Sequence, residues 1–164
     1  MSEALLVADS GPLIALARLG LLSLPAQLFR EALVTATVWH EVSREPHAAE
    51  LQALNAAVQA GQLHVVGDPI GLVLPVPAPR IDDGERSAIA LALNVGAAVL
   101  VDEKRGRAVA ENLGLHVLGT LGLLVRARDA GLVDRVRPLA ESLLQGGYHP
   151  ALPLVERTLA AIGE

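Results

Sequence analysis

Apolar residues fall in short runs separated by longer stretches of helical spacing. Leu5, Leu6, Val7 and Ala8 form the clearest run, and similar ones occupy residues 32–36, 63–66, 97–101 and 115–118. Runs of this length, rich in Leu, Val and Ala, read as strands buried on both faces of a sheet. Between the first two runs, Asp9 stops the strand and Ser10 and Gly11 make a turn. Pro12 suits a first helical position, and Leu13, Ile14, Leu16, Ala17 and Leu21 give one apolar face. After the second run, Thr37 suits an N-cap for a helix carrying Val38, Trp39, Glu41 and Val42. Pro46 opens a further helix through Leu51, Leu54, Ala57 and Val58 to Gly61.

Residues 81–96 predict another helix, with Asp82 or Asp83 as cap, Glu85 in the first turn and Gly96 as its stop. Glu103, Lys104, Arg105 and Arg107 open a helix to Leu113, and residues 121–130, 134–144 and 152–162 form a helical tail. Strand and helix alternating to about residue 118 predict an α/β domain with a parallel sheet and right-handed crossovers. Residues 67–80 carry Pro69, Pro75, Pro77 and Pro79 and read as an extended surface connection. Neither half repeats or closes a core alone, so residues 1–164 are expected to form one domain.

Composition narrows the classes. Hydrophobic residues make up 52% and mean hydropathy is +0.44, which excludes general disorder. Aromatic residues make up only 2%, which argues against a base-stacking platform. With no cysteine there is no disulfide, zinc–thiolate site or thiol nucleophile. The net charge of −5 argues against a generic basic nucleic-acid binder, though metal-binding carboxylates would contribute to such a total. Residues 1–11 lack a leader pattern and residues 88–101 are too short to span a bilayer, so a cytoplasmic protein with no membrane partner is expected.

Four acids take related positions. Asp9 and Asp102 end apolar runs, while Glu41 and Glu85 lie in early turns of helices. Taken singly, Asp9 reads more simply as a helix cap and Glu41 as an acid favoured by the helix dipole. If the strands ending at Asp9 and Asp102 are neighbours, all four reach one crevice at the carboxyl edge of the sheet. Crowded carboxylates repel without a cation, and hard oxygen donors suit Mg²⁺ or Mn²⁺. His40 and His47 lack partners at ligand spacing and read as surface residues.

The stretches VADSGPLIALARLGLL, VTATVWHEV, DDGERSAIALAL and VLVDEKRGRAVAENLGLHVLGTLGLLVRARDAGLV together resemble PIN-domain proteins. More narrowly they resemble a PIN-like bacterial and archaeal group with a D-x-G-E then A-I-A-L-A signature. The resemblance covers nearly the whole chain. It implies a three-layer α/β/α fold around a parallel sheet of about five strands, and a metal-dependent ribonuclease, often the toxin of a VapBC-type pair. Carried over, the family acids match Asp9, Glu41, Glu85 and Asp102, with Glu103 adjacent and Ser10 as the small hydroxyl residue after the first acid. Glu85 stands where many relatives have Asp, and the usual Thr or Ser before Asp102 is missing.

The expected cofactor is therefore Mg²⁺ or Mn²⁺, and the expected partners are RNA as substrate, an antitoxin protein and a second copy in a homodimer. Lys104, Arg105 and Arg107 are placed to hold RNA phosphates, or equally to form a solvated helix start. Alternation along a strand allows only one of Asp102 and Glu103 to face the site, and Asp102, directly after Val101, is expected to be that one. The rivals are a catalytically weak PIN-fold binding module and, last, a phosphotransfer domain with a strand-end Asp acceptor.

Overall fold

The computed structural model describes residues 4–44, 47–70, 74 and 80–164. β1 (Leu5–Ala8) leads into α1 (Ser10–Leu19), followed by a short α2 (Leu24–Leu28) and β2 (Glu31–Thr35). Then come α3 (Ala36–Val42), α4 (Ala48–Gln59), β3 (His64–Val66), α5 (Asp83–Val95) and β4 (Ala98–Leu100). The chain continues through α6 (Lys104–Asn112), β5 (Val117–Leu118), α7 (Thr120–Asp129), α8 (Arg137–Gln145) and α9 (Leu152–Ala161). The five strands form one parallel sheet in the order β3-β2-β1-β4-β5.

β1 is therefore central, with Leu6 paired to Ala32 on one side and to Ala98 on the other. Leu6, Val7 and Ala8 are fully buried, as the unbroken apolar run requires. Helix α5 packs across β1, β2 and β4, while α1 packs with α4, α7 and α8 in the second helical layer. This is the expected three-layer α/β/α architecture. The strand order reverses direction of growth between β1 and β4, which places a switch point at the carboxyl ends of these two strands.

Several boundaries differ from the sequence expectation. Helix α1 starts at Ser10, so Pro12 is its third residue; the first N–H groups of a helix have no partner to lose, and the ring is tolerated there. Thr35, rather than Thr37, caps α3 by accepting the Val38 N–H at 3.1 Å. Thr37 lies inside the first turn and donates its backbone N–H and its hydroxyl to the Asp68 carboxylate. Helix α2 went unpredicted because its five residues are too short for helical spacing to show. Pro46 and most of the proline-rich segment lie outside the described residues. In the tail, Leu143 and Leu159 are buried within the fold, whereas Leu152 and Leu154 are exposed. Among the described residues, no helix is long and apolar enough to cross a membrane.

Candidate metal centre

Each acid arrives at the switch point by a different local device. Asp9 occupies the N-cap position of α1, yet its side chain makes no cap hydrogen bond. Its backbone N–H donates to Leu100 O at 3.0 Å, which ties it to the neighbouring β4. The residue is 6% exposed, and its Oδ1 is buried without a hydrogen-bond partner. A buried carboxylate oxygen left unpaired costs on the order of 1–3 kcal/mol or more. Burial raises the Asp9 pKa from 3.8 to about 7; the Ser10 N–H pulls it partly back, and the charges of Asp82, Glu85 and Glu41 push it further up. A simple capping aspartate would show none of this.

Glu41 projects from α3 over the start of α5. A Cβ on Gly84 would lie 2.6 Å from Glu41 Oε1 and 2.7 Å from its Cδ, so only glycine leaves room for this carboxylate. The Ser10 hydroxyl and the Gly84 N–H donate to it, but burial and the Asp82 charge dominate and raise its pKa.

Asp82 caps α5. Its Oδ1 accepts the Glu85 N–H at 2.7 Å, and Glu85 Oε2 accepts the Asp82 N–H at 3.0 Å, forming a reciprocal capping box. The cap engages one Asp82 oxygen. Ligand oxygens of Asp9, Glu41 and Asp82 all lie within 4.8 Å of one another. Glu85, 4% exposed, stands behind them with its pKa raised by burial first and by the charges of Asp82, Glu103 and Glu41.

The structure thus brings Asp9 and Glu41 together as expected and adds Asp82, which the sequence had marked only as a cap. Glu85 adjoins the group through its tie to Asp82. Asp102 is engaged elsewhere: its Oδ1 accepts the Thr120 N–H at 2.7 Å and its Oδ2 the Thr120 hydroxyl at 2.6 Å. The Tyr148 hydroxyl also bonds Asp102. Glu103, the N-cap of α6, is exposed, and its charge reaches the Glu85 carboxyl. Lys104 and Arg105 are exposed on the first turn of α6, while Arg107 turns back to donate to Val101 O at 3.2 Å.

Two expectations follow from these contacts. Asp82→Asn keeps a capping oxygen and loses a charge, whereas Asp82→Ala also loses the cap, at about 1 kcal/mol. Chemical denaturation with chelator present should therefore separate the two variants by about that amount. Asp102→Ala should destabilise the fold by roughly 1–3 kcal/mol, because the Thr120 N–H is left unpaired. Equal denaturation midpoints for Asp102→Ala and the unaltered protein would contradict these bonds.

Hard oxygen donors, an unpaired buried oxygen and a glycine cradle fit a divalent cation. A parallel α/β/α sandwich with carboxylates converging at its switch point defines the class. The chain belongs to the PIN-domain family: the family model DUF3368, PIN domain, matches residues 5–164. Among solved structures it is similar to a PilT N-terminus domain protein, SSO1118, from the hyperthermophilic archaeon Sulfolobus solfataricus P2. The TM-score is 0.57 at 15% identity, covering 75% of this chain and 92% of that one, which is a likeness of fold. No curated protein matches the sequence.

Proposed function

We propose that this protein is a Mg²⁺- or Mn²⁺-dependent endoribonuclease, with the metal held by Asp9, Glu41 and Asp82. The observation that supports this most is the buried, unpaired Asp9 Oδ1 within reach of two further carboxylates. Bound there, a divalent ion supplies a water of lowered pKa and neutralises charge on a phosphodiester. The chain's own residues set the frame. Ser10 and the Gly84 N–H hold the Glu41 carboxylate in place, and the capping box with Glu85 fixes Asp82. Burial pushes the Asp9 carboxyl up to about 7, and it would have to give up its proton to hold a cation. Asp102 serves this frame from the side, joining the end of β4 to the start of α7 through Thr120.

The test is cleavage of a mixed single-stranded RNA pool in Mg²⁺, in Mn²⁺ and in chelator, by the protein and by Asp9→Asn. Metal-dependent products lost in Asp9→Asn support the proposal. Stabilisation by Mn²⁺ without any cleavage would overturn it in favour of a metal-holding binding module. The reading extends to the toxin of a toxin–antitoxin pair, for which growth arrest on expression, relieved by the product of an adjacent gene, is the expected result.

A further inference from the structure

Among the described residues, the buried polar side chains are Asp9, Thr35, Glu85 and Thr120. Asp9 and Glu85 belong to the acid cluster and Thr120 holds Asp102, which leaves Thr35, fully buried at the end of β2. Its hydroxyl accepts the Val38 N–H at 3.1 Å and lies 2.7 Å from the Ser87 hydroxyl on α5. Ser87 has one proton to give, and it goes to Gly84 O at 2.8 Å. The Thr35 hydroxyl is therefore the donor to Ser87 Oγ. One directed chain results, from the Val38 N–H through Thr35 and Ser87 to Gly84 O, in which each hydroxyl accepts once and donates once.

Capping α3 needs no such chain, since any oxygen that accepts from Val38 suffices. What the chain adds is a bridge between α3, which carries Glu41, and α5, whose first turn follows Asp82. It starts on α3 at Val38, one turn before Glu41 on the same side of the helix. It ends on the carbonyl of Gly84, whose N–H donates to the Glu41 carboxylate. The ring of contacts thus closes through Glu41 itself. Charge pushes the other way, because Asp82 and Asp83 both act against the Glu41 carboxylate. Parting the two helices would strand a buried hydroxyl, so the chain resists that repulsion.

We propose that Thr35 and Ser87 are positioning residues, whose hydroxyl chain sets the distance between α3 and α5 and so holds Glu41 opposite Asp82 before a cation binds. This role rests on the acids being a metal centre, and one of its tests needs no metal. Ser87→Ala keeps the α3 cap and suits a helix. Its melting should change little, yet its Mn²⁺ affinity, read by calorimetry, should fall about tenfold. Thr35→Val should lose a similar factor, and Thr35→Ser, which keeps the hydroxyl, should restore it. Thr35→Val combined with Ser87→Ala should cost no more affinity than either alone, as both cut one chain. Thr37→Val is the control: that hydroxyl ties the same helix start to Asp68 rather than to α5, and its loss should leave Mn²⁺ affinity alone. In chelator, Glu41→Gln should raise the denaturation midpoint of the unaltered protein by relieving repulsion. It should raise that of Ser87→Ala by less, because there the helices can part. Equal gains in the two backgrounds would overturn the tie, as would unchanged Mn²⁺ affinity in both Ser87→Ala and Thr35→Val. An unaltered protein that takes up no Mn²⁺ would sink the metal reading instead, and the comparison in chelator would still decide for or against the tie.

Discussion

Asp9→Asn should make the metal-free protein more stable while removing its response to divalent cations. Unfolded, Asp9 loses its proton near pH 3.8; folded, it keeps it to about 7. Between those values the folded form binds more protons, so stability falls as pH rises, and the loss is complete above about pH 7. A gap of that size, in a residue 6% exposed, corresponds to roughly 4 kcal/mol at pH 8. A bound cation offsets the penalty, and mass action adds about 2.7 kcal/mol at a hundredfold excess over its dissociation constant. In chelator at pH 8, Asp9→Asn should therefore melt several degrees above the unaltered protein, with a flatter pH profile. With Mn²⁺ the order should reverse or close, and cleavage of RNA by the variant should fall by more than a hundredfold. Thermal unfolding at pH 5 and pH 8, with and without Mn²⁺, checks all of this. Identical Mn²⁺ shifts in the two proteins would rule out Asp9 as a ligand.

Gly84→Ala carries the second large effect. An alanine in a helix usually gains up to about 1 kcal/mol over glycine. Here its Cβ would overlap the Glu41 carboxylate, 2.6 Å from Oε1. Glu41 must swing away, giving up the Gly84 N–H and its place near Asp9 and Asp82. Metal affinity should drop at least tenfold while circular dichroism stays native. Gly11→Ala is the matched control, since nothing lies within 4 Å of a Cβ there. It should leave metal affinity alone. Titration of Mn²⁺ by calorimetry into both variants decides the matter, and equal affinities would mean that Glu41 is not held as described.

Much of this was legible in the chain. Buried strands announce themselves as unbroken apolar runs, and Asp9 stands out because a charge follows Ala8 with no break. Asp82 was harder to see. Its place at a helix start accounts for it fully, and nothing in the sequence shows that the cap engages one oxygen while Glu41 approaches from α3. The glycine after Asp83 was the available signal, since a flexible residue in the first turn of a helix gains nothing unless a neighbour needs the space. The partners of Asp102 were out of reach of any local pattern. Thr120 lies 18 residues away and Tyr148 on the tail, and only the pairing of β4 with β5 brings them together. The shift of the α3 cap from Thr37 to Thr35 is smaller in kind, because both threonines could cap and only the register of β2 chooses between them.

The central position of β1 has a consequence for when the acidic site comes into being. Of the five strands described, β1 is made before the others, yet it must finally be flanked on both sides, by β2 and then by β4. Of the three acids Asp9 emerges before the others, Glu41 some thirty residues later, and Asp82 only after the proline-rich segment has been synthesised. Until α5 packs across the sheet and β4 pairs with the free edge of β1, these carboxylates belong to separate, mutually repelling pieces of chain. A nascent chain thus carries no assembled acidic cluster, and its three carboxylates come together only once α5 has packed across β1 and β2.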